Sequence, residues 1–149
     1  MQSLNFPPYS FKIKKEKEKF SIFCRTRKRY VALTPEEWVR QHFTEFLITE
    51  KHYPPALLAN EVQIELNGLK KRCDTVIYNR QCEPLMIVEY KAPEVAITQK
   101  TFDQIAVYNM RLNVRYLVVS NGLSHYCCRV EEGKIEFLAE IPAYEEIVI

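Results

Sequence analysis

From Thr34 to about Lys51 the side chains of Trp38, Val39, His42, Phe43, Phe46 and Leu47 recur at three- and four-residue spacing, which makes one broad apolar face on a helix. Thr34-Pro35-Glu36-Glu37 marks its start: threonine offers an N-cap oxygen, proline suits the first turn, and Glu37 is spaced to close a capping box. Pro54-Pro55 forbids continuation. From Glu61 the period falls to two, with Val62, Ile64 and Leu66 alternating against Gln63 and Glu65. Asn67-Gly68 then turns the chain into a second strand over Arg72–Tyr78. After a loop at Asn79–Pro84, Leu85–Tyr90 is so continuously apolar that it belongs at the centre of a sheet. A second helix over Thr98–Asn113 and an apolar strand over Arg115–Ser120 follow. A turn at Asn121-Gly122 leads to two more strands, over Ser124–Val130 and Lys134–Glu140. Near the start, Phe11–Ile13 and Phe20–Phe23 read as a short hairpin with the lysine-rich stretch between them as its turn.

The order α-β-β-β-α-β, with extra strands at the end, predicts an α/β chain with a mixed central sheet flanked by helices. Its 149 residues, 47% hydrophobic and 27% charged, suit one globular domain over 1–149, with an N-terminal arm or hairpin over 1–33 and a core over 34–140. No apolar run approaches the roughly 18 residues of a membrane span, and no cationic-then-apolar leader opens the chain, so a cytoplasmic protein without a membrane partner is expected. The five cysteines are odd in number and lack CxxC or finger-like spacing, which points away from disulfides and zinc. Cys127 and Cys128, adjacent on a strand, are expected to pack on opposite faces.

A net charge of +2 conceals an asymmetry: Lys12–Arg29 is strongly basic and Glu131–Glu146 strongly acidic. Lys12–Lys19 reads first as a solvated hairpin tip, with a phosphate-attracting patch as the second reading. Arg27, Lys28 and Arg29 belong to a denser run without acidic partners, which makes them candidates for contact with a phosphate backbone.

Chemistry concentrates in Asp74, Glu89 and Lys91. Side chains two apart on a strand share a face, so Glu89 and Lys91 aim a carboxylate and an amine at one point at the end of the most apolar strand. Asp74, on the neighbouring strand of the same hairpin, faces Glu89 if Tyr78 stands opposite Leu85. Two carboxylates are what a hard divalent ion such as magnesium takes from protein, and with a lysine beside them they suffice for phosphodiester hydrolysis. The plainer alternative is a charged strand end held by a local salt bridge. On the second helix Gln104, Tyr108 and Arg111 share a stripe, with Phe102, Ile105, Ala106, Asn109 and Leu112 assigned to the core side.

Arg72-Cys73-Asp74, then Glu89-Tyr90-Lys91-Ala92-Pro93, then Gln104-Ile105-Ala106-Val107-Tyr108 together resemble the PD-(D/E)xK nuclease superfamily, and most closely the N-terminal nuclease domain of type I restriction enzyme R subunits. The likeness extends to Leu33–Gln41 and to Val119-Ser120-Asn121-Gly122, and so covers about residues 25 to 130. It implies a restriction-endonuclease-like fold and a magnesium-dependent, or manganese-dependent, DNA endonuclease. Asp74 and Glu89 would be the metal ligands, Lys91 the catalytic amine, and Gln104 with Tyr108 the element that contacts DNA or supports the site. Glu37 is the candidate first-helix carboxylate, with its capping role an equally good explanation. Cys73 stands where the superfamily's namesake has proline, and no Walker-type loop occurs, so ATP hydrolysis is not expected of this chain. A freestanding nuclease, a nuclease subunit beside helicase or specificity subunits, a DNA-binding or assembly module without turnover, and a small interaction protein without nucleic acid all follow as alternatives.

Overall fold

The computed structural model describes residues 1–149. Its first regular elements are β1 (Ile13–Glu16), β2 (Lys19–Cys24) and β3 (Arg29–Ala32), which form a three-stranded antiparallel sheet in sequence order. The expected two-stranded arm is thus a meander with one strand more. β3 is hidden in the sequence because its Arg29-Tyr30 continues a basic run, and of the stretch expected as a turn Lys14 and Lys15 lie on β1 and Lys19 on β2, with only Lys17 and Glu18 turning.

Helix α1 (Pro35–Glu50) begins as its sequence dictates, with the Glu37 amide donating to Thr34 Oγ1 at 3.0 Å. The reciprocal bond of a capping box is not made, because the Glu37 carboxylate is held by Arg27, Arg40 and Gln41 instead. A single 3-10 turn at Pro55–Leu57 leads into β4 (Leu58–Leu66), β5 (Leu69–Tyr78) and β6 (Pro84–Tyr90), then α2 (Gln99–Leu112) and β7 (Tyr116–Ser120). β8 (His125–Glu131), β9 (Lys134–Leu138) and a one-turn helix α3 (Tyr144–Ile147) complete the chain. Strands β4 and β5 each begin three residues earlier than their periodicity suggests, at Leu58 and Leu69.

The large sheet runs β4-β5-β6-β7-β8-β9, antiparallel throughout except for the parallel pair β6 and β7 that α2 connects. The helices take opposite faces. Val39, Phe43 and Leu47 of α1 pack with Met86, Val88, Tyr90, Val118 and Cys127, whereas Ile105 and Tyr108 of α2 pack with Val76, Ile87, Leu117, Val119 and Cys128. Cys127 and Cys128 accordingly bury on opposite faces. Coverage on both sides is why Met86, Ile87 and Val88 are all fully buried. No helix is long and apolar enough to cross a membrane.

Register decides the site. Thr75 pairs with Val88, Val76 with Ile87 and Ile77 with Met86, and one further step along that register sets Asp74 against Glu89. A bulge between Ile77 and Tyr78 puts Tyr78 opposite Pro84 rather than Leu85, so the irregularity falls at the far end of the hairpin. On the other side of β5 the ladder skips Glu61, whose φ of 55° is left-handed. Cys73 and Val76 both face α2, so side-chain alternation breaks between them, around Asp74.

The segment before β1 crosses α1. Phe6 packs against Phe43, Phe46 and His125, with ring centroids 5.8, 5.6 and 4.5 Å away, and the Asn5 amide donates to the Gly122 carbonyl at 2.8 Å.

Candidate active site

Glu89 is the last charged group on β6 and is only 5% exposed. Asp74 accepts the Tyr90 amide hydrogen on Oδ2 at 2.9 Å, so its carboxylate caps β6 where the ladder stops. One step beyond the Thr75–Val88 pair, the register brings the two carboxyls side by side at the end of the ladder. Lys91 Nζ stands 4.0 Å from Glu89 Oε1. Gln104 links these groups: its amide nitrogen donates to Glu89 Oε1 at 3.3 Å and lies 3.1 Å from the Tyr108 hydroxyl, and its carbonyl oxygen accepts from Lys91 at 3.4 Å. Asp74, Glu89, Lys91, Gln104 and Tyr108 therefore converge in space.

Burial, then the neighbouring Asp74 charge, raises the Glu89 pKa to about 8, against the opposing pull of Lys91. Asp74 is also raised, by burial first, while the Tyr90 amide and Arg40 oppose the shift. One proton shared by the pair is the consequence at neutral pH. Glu89 Oε2 is fully enclosed and has no donor when both groups are ionised. Such an atom lacks either a proton or a cation. Burial and these same carboxylates push the adjacent Cys73 thiol up to about 12, so at neutral pH it offers no thiolate.

Tyr108 corrects the helical-wheel assignment. Thr101, Ile105 and Tyr108 are the buried residues of α2, while Ala106 is exposed. The tyrosine ring joins the core beside Cys73 and Ile64, and only its hydroxyl reaches the polar cluster. Gln104 occupies the border between buried and exposed faces, which lets it reach inward. Arg111, in the last turn of α2, is exposed and bonds none of these groups, and its charge suits the negative helix end.

The model for the family described as "Type I restriction enzyme R protein N terminus" matches residues 35–142. The chain belongs to this family. A solved fragment assigned as an HsdR subunit of a type I restriction enzyme from Vibrio vulnificus YJ016 is similar in fold, with a TM-score of 0.60 and 18% identity. The match covers 78% of this chain and 25% of that one, so the chain spans about a quarter of its relative's length. Among curated proteins none is significantly similar in sequence.

Beyond the cluster, this R-protein N-terminal domain carries a buried ionic chain that its sequence did not disclose. Glu37 is bonded by Arg27 at 2.5 Å, by Arg40 at 3.0 Å and by Gln41 at 2.7 Å, and it meets the site only through Arg40, whose Nη2 reaches Asp74. Arg27 is thus turned inward, toward Glu37, Cys24 and Glu61, instead of outward as the basic run suggests. Lys28 turns between β2 and β3 with φ of 55°, and Arg29 is exposed on β3. Neither bonds the cluster. A second polar chain, Tyr90 to Thr75 to Asn60 to Thr26, ties the same strands to the small sheet. The only sequence signal for Arg40 and Gln41 is their spacing from Glu37, three and four residues on, which puts all three on one face of α1.

Proposed function

We propose that the chain is a divalent-metal-dependent deoxyribonuclease domain of a restriction or repair system, acting in the cytoplasm on DNA. The observation that carries the reading is the buried, donorless Glu89 Oε2 beside Asp74, with an amine and an amide aimed at the same place. That donor set fits a hard cation: two carboxylates from the protein, one of them with a buried oxygen that has no donor, match the sparse protein shell that magnesium accepts. Asp74 and Glu89 would hold it, with manganese as the alternative ion. A bound ion of this kind polarises a scissile phosphodiester and lowers the pKa of an attacking water.

The remaining groups have separate roles. Lys91 offsets the negative charge that grows on the phosphate or orients the water, and Gln104 keeps its ammonium from collapsing onto Glu89. Tyr108 braces Gln104 from the core. Glu37 acts through Arg40, orienting the guanidinium toward Asp74, and is a positioning residue rather than a ligand. Helicase and specificity subunits are the natural partners for such a domain, since the DNA must be delivered to the site.

One observation favours a second reading. Arg40 already lies against Asp74, and a guanidinium neutralising a ligand carboxylate suits a domain that binds or assembles on DNA without cutting it. Plasmid nicking with magnesium or manganese separates the two. Nicking by the wild type and none by Asp74→Ala or Glu89→Ala supports the nuclease; a wild type that binds DNA and never cuts leaves the binding module.

A further inference from the structure

A cleft lined by Lys71, Lys100, Gln104, Val107 and Tyr108 opens beside the carboxylate pair. Its walls follow from two periodicities. Lys100, Gln104 and Tyr108 succeed one another at one-turn intervals and form one stripe down α2. Lys71 precedes Cys73 by two on β5, and Cys73 packs in the α2-side core, so Lys71 leaves the sheet from the same face, toward that stripe. Gln104 is at once a wall of this cleft and the partner of Glu89 and Lys91, so one side chain borders both the cleft and the site.

Its chemistry is one-sided. No carboxylate lines it, and neither Lys71 nor Lys100 has an acidic group within ion-pair distance. Two ammonium groups around an aliphatic and aromatic floor suit a ligand that alternates anionic and apolar parts. A nucleic-acid backbone does this, with a phosphate between sugars. We propose that Lys71 and Lys100 grip the DNA phosphate next to the scissile one, with its deoxyribose against Val107. This rests on the nuclease reading of the carboxylate pair. The two lysines bind substrate equally before and during reaction, so they serve affinity and alignment more than turnover.

The test uses the full chain and a fluorescein-labelled DNA duplex in calcium, with affinity followed against salt. Lys71→Ala and Lys100→Ala are compared with wild type and with Lys134→Ala on the exposed strand β9. Each cleft variant is expected to lower the slope of log affinity against log salt by about 1 and to weaken binding roughly tenfold at low salt. In magnesium, KM should rise by a similar factor while kcat stays within about twofold, and manganese binding should not change. Both lysines are exposed, so circular dichroism should show folded variants. Unchanged salt slopes in both cleft variants, or an equal loss in Lys134→Ala, would overturn the proposal and leave metal-dependent cleavage intact. A wild type that neither binds nor cuts the duplex would overturn it together with the nuclease reading.

Discussion

The Nη2 atom of Arg40 lies 3.5 Å from Oδ1 of Asp74. The other arm of the same guanidinium holds Glu37 at 3.0 Å, and its Cζ lies over Tyr90, 5.5 Å from the ring centre. Only a planar fork serves two carboxylates in this way. Arg40→Lys should therefore destabilise the fold by about 1–3 kcal/mol, and Arg40→Ala, which leaves Asp74 without its ion-pair partner and Glu37 to Arg27 alone, by about 3–5 kcal/mol. Urea unfolding at neutral pH measures both, and a midpoint unmoved by either change would refute the fork.

Stability should fall as pH rises from about 6.5 to 8, above the range in which His42 and His125, whose pKa values burial lowers, act in the opposite sense. The Glu89 pKa lies above its ordinary value of 4.5, so within this window the folded chain holds a proton that the unfolded chain has released. Stability derived from that proton is complete below the unfolded value and is lost as pH climbs through the folded one. Added manganese should reverse the trend, with affinity increasing over the same range. Thermal melts at several pH values, with and without the ion, give both slopes, and a metal affinity flat from pH 5 to 8 contradicts the shared-proton pair.

Substitutions should separate the roles. Asp74→Ala and Glu89→Ala are expected to abolish magnesium-dependent nicking. Glu89→Gln should do the same while raising apo stability at pH 8 by about 1–2 kcal/mol, since a buried charge is removed. Lys91→Ala should lower kcat by roughly 10²–10³-fold with little change in DNA affinity in calcium. Gln104→Ala should weaken DNA engagement and, because this amide also touches Glu89 and Lys91, lower kcat too, whereas Tyr108→Phe removes only the brace and should cost about fivefold or less. Nicking assays beside metal titration on the same proteins decide each case, and persistent cleavage by Glu89→Ala would defeat the scheme.

Gly122→Ala tests the crossing of the N-terminal segment. Gly122 has φ of 86°, and a Cβ there would lie 2.8 Å from Leu4 and 3.1 Å from Val39. A loss of about 1–3 kcal/mol is expected, with faster hydrogen exchange at the Asn5 amide. Equal protection of Asn5 in the variant would show that the segment holds without this contact.

Local period made much of the fold legible. Thr34-Pro35 starts α1 and the unbroken apolar run places β6 at the centre, since neither needs knowledge of distant residues. Asp74 stands against Glu89 although Tyr78, expected opposite Leu85, lies opposite Pro84 across a bulge. What escaped depends on tertiary partners. Arg27 looked like a free cation because Glu37 and Glu61, which hold it, come from other elements. Tyr108 looked outward because a wheel weighs residues one at a time, and only the approach of β5 selects the face of α2 that is covered. Glu61 has no sequence mark for its left-handed backbone, and the acidic Tyr144–Ile147 gives no hint of the turn of helix it forms.

The crossing of α1 by the chain's opening residues also constrains the order in which the molecule can be completed. Leu4 and Asn5 meet Gly122, and Phe6 meets His125, so the segment before β1 finds its seat only after the β7–β8 turn, more than a hundred residues further on, has left the ribosome. At cellular elongation rates that is a wait on the order of ten seconds. Throughout it the patch of Phe43 and Phe46 that Phe6 covers stays bare, and the nascent chain carries an unsheathed aromatic surface until the segment before β1 docks.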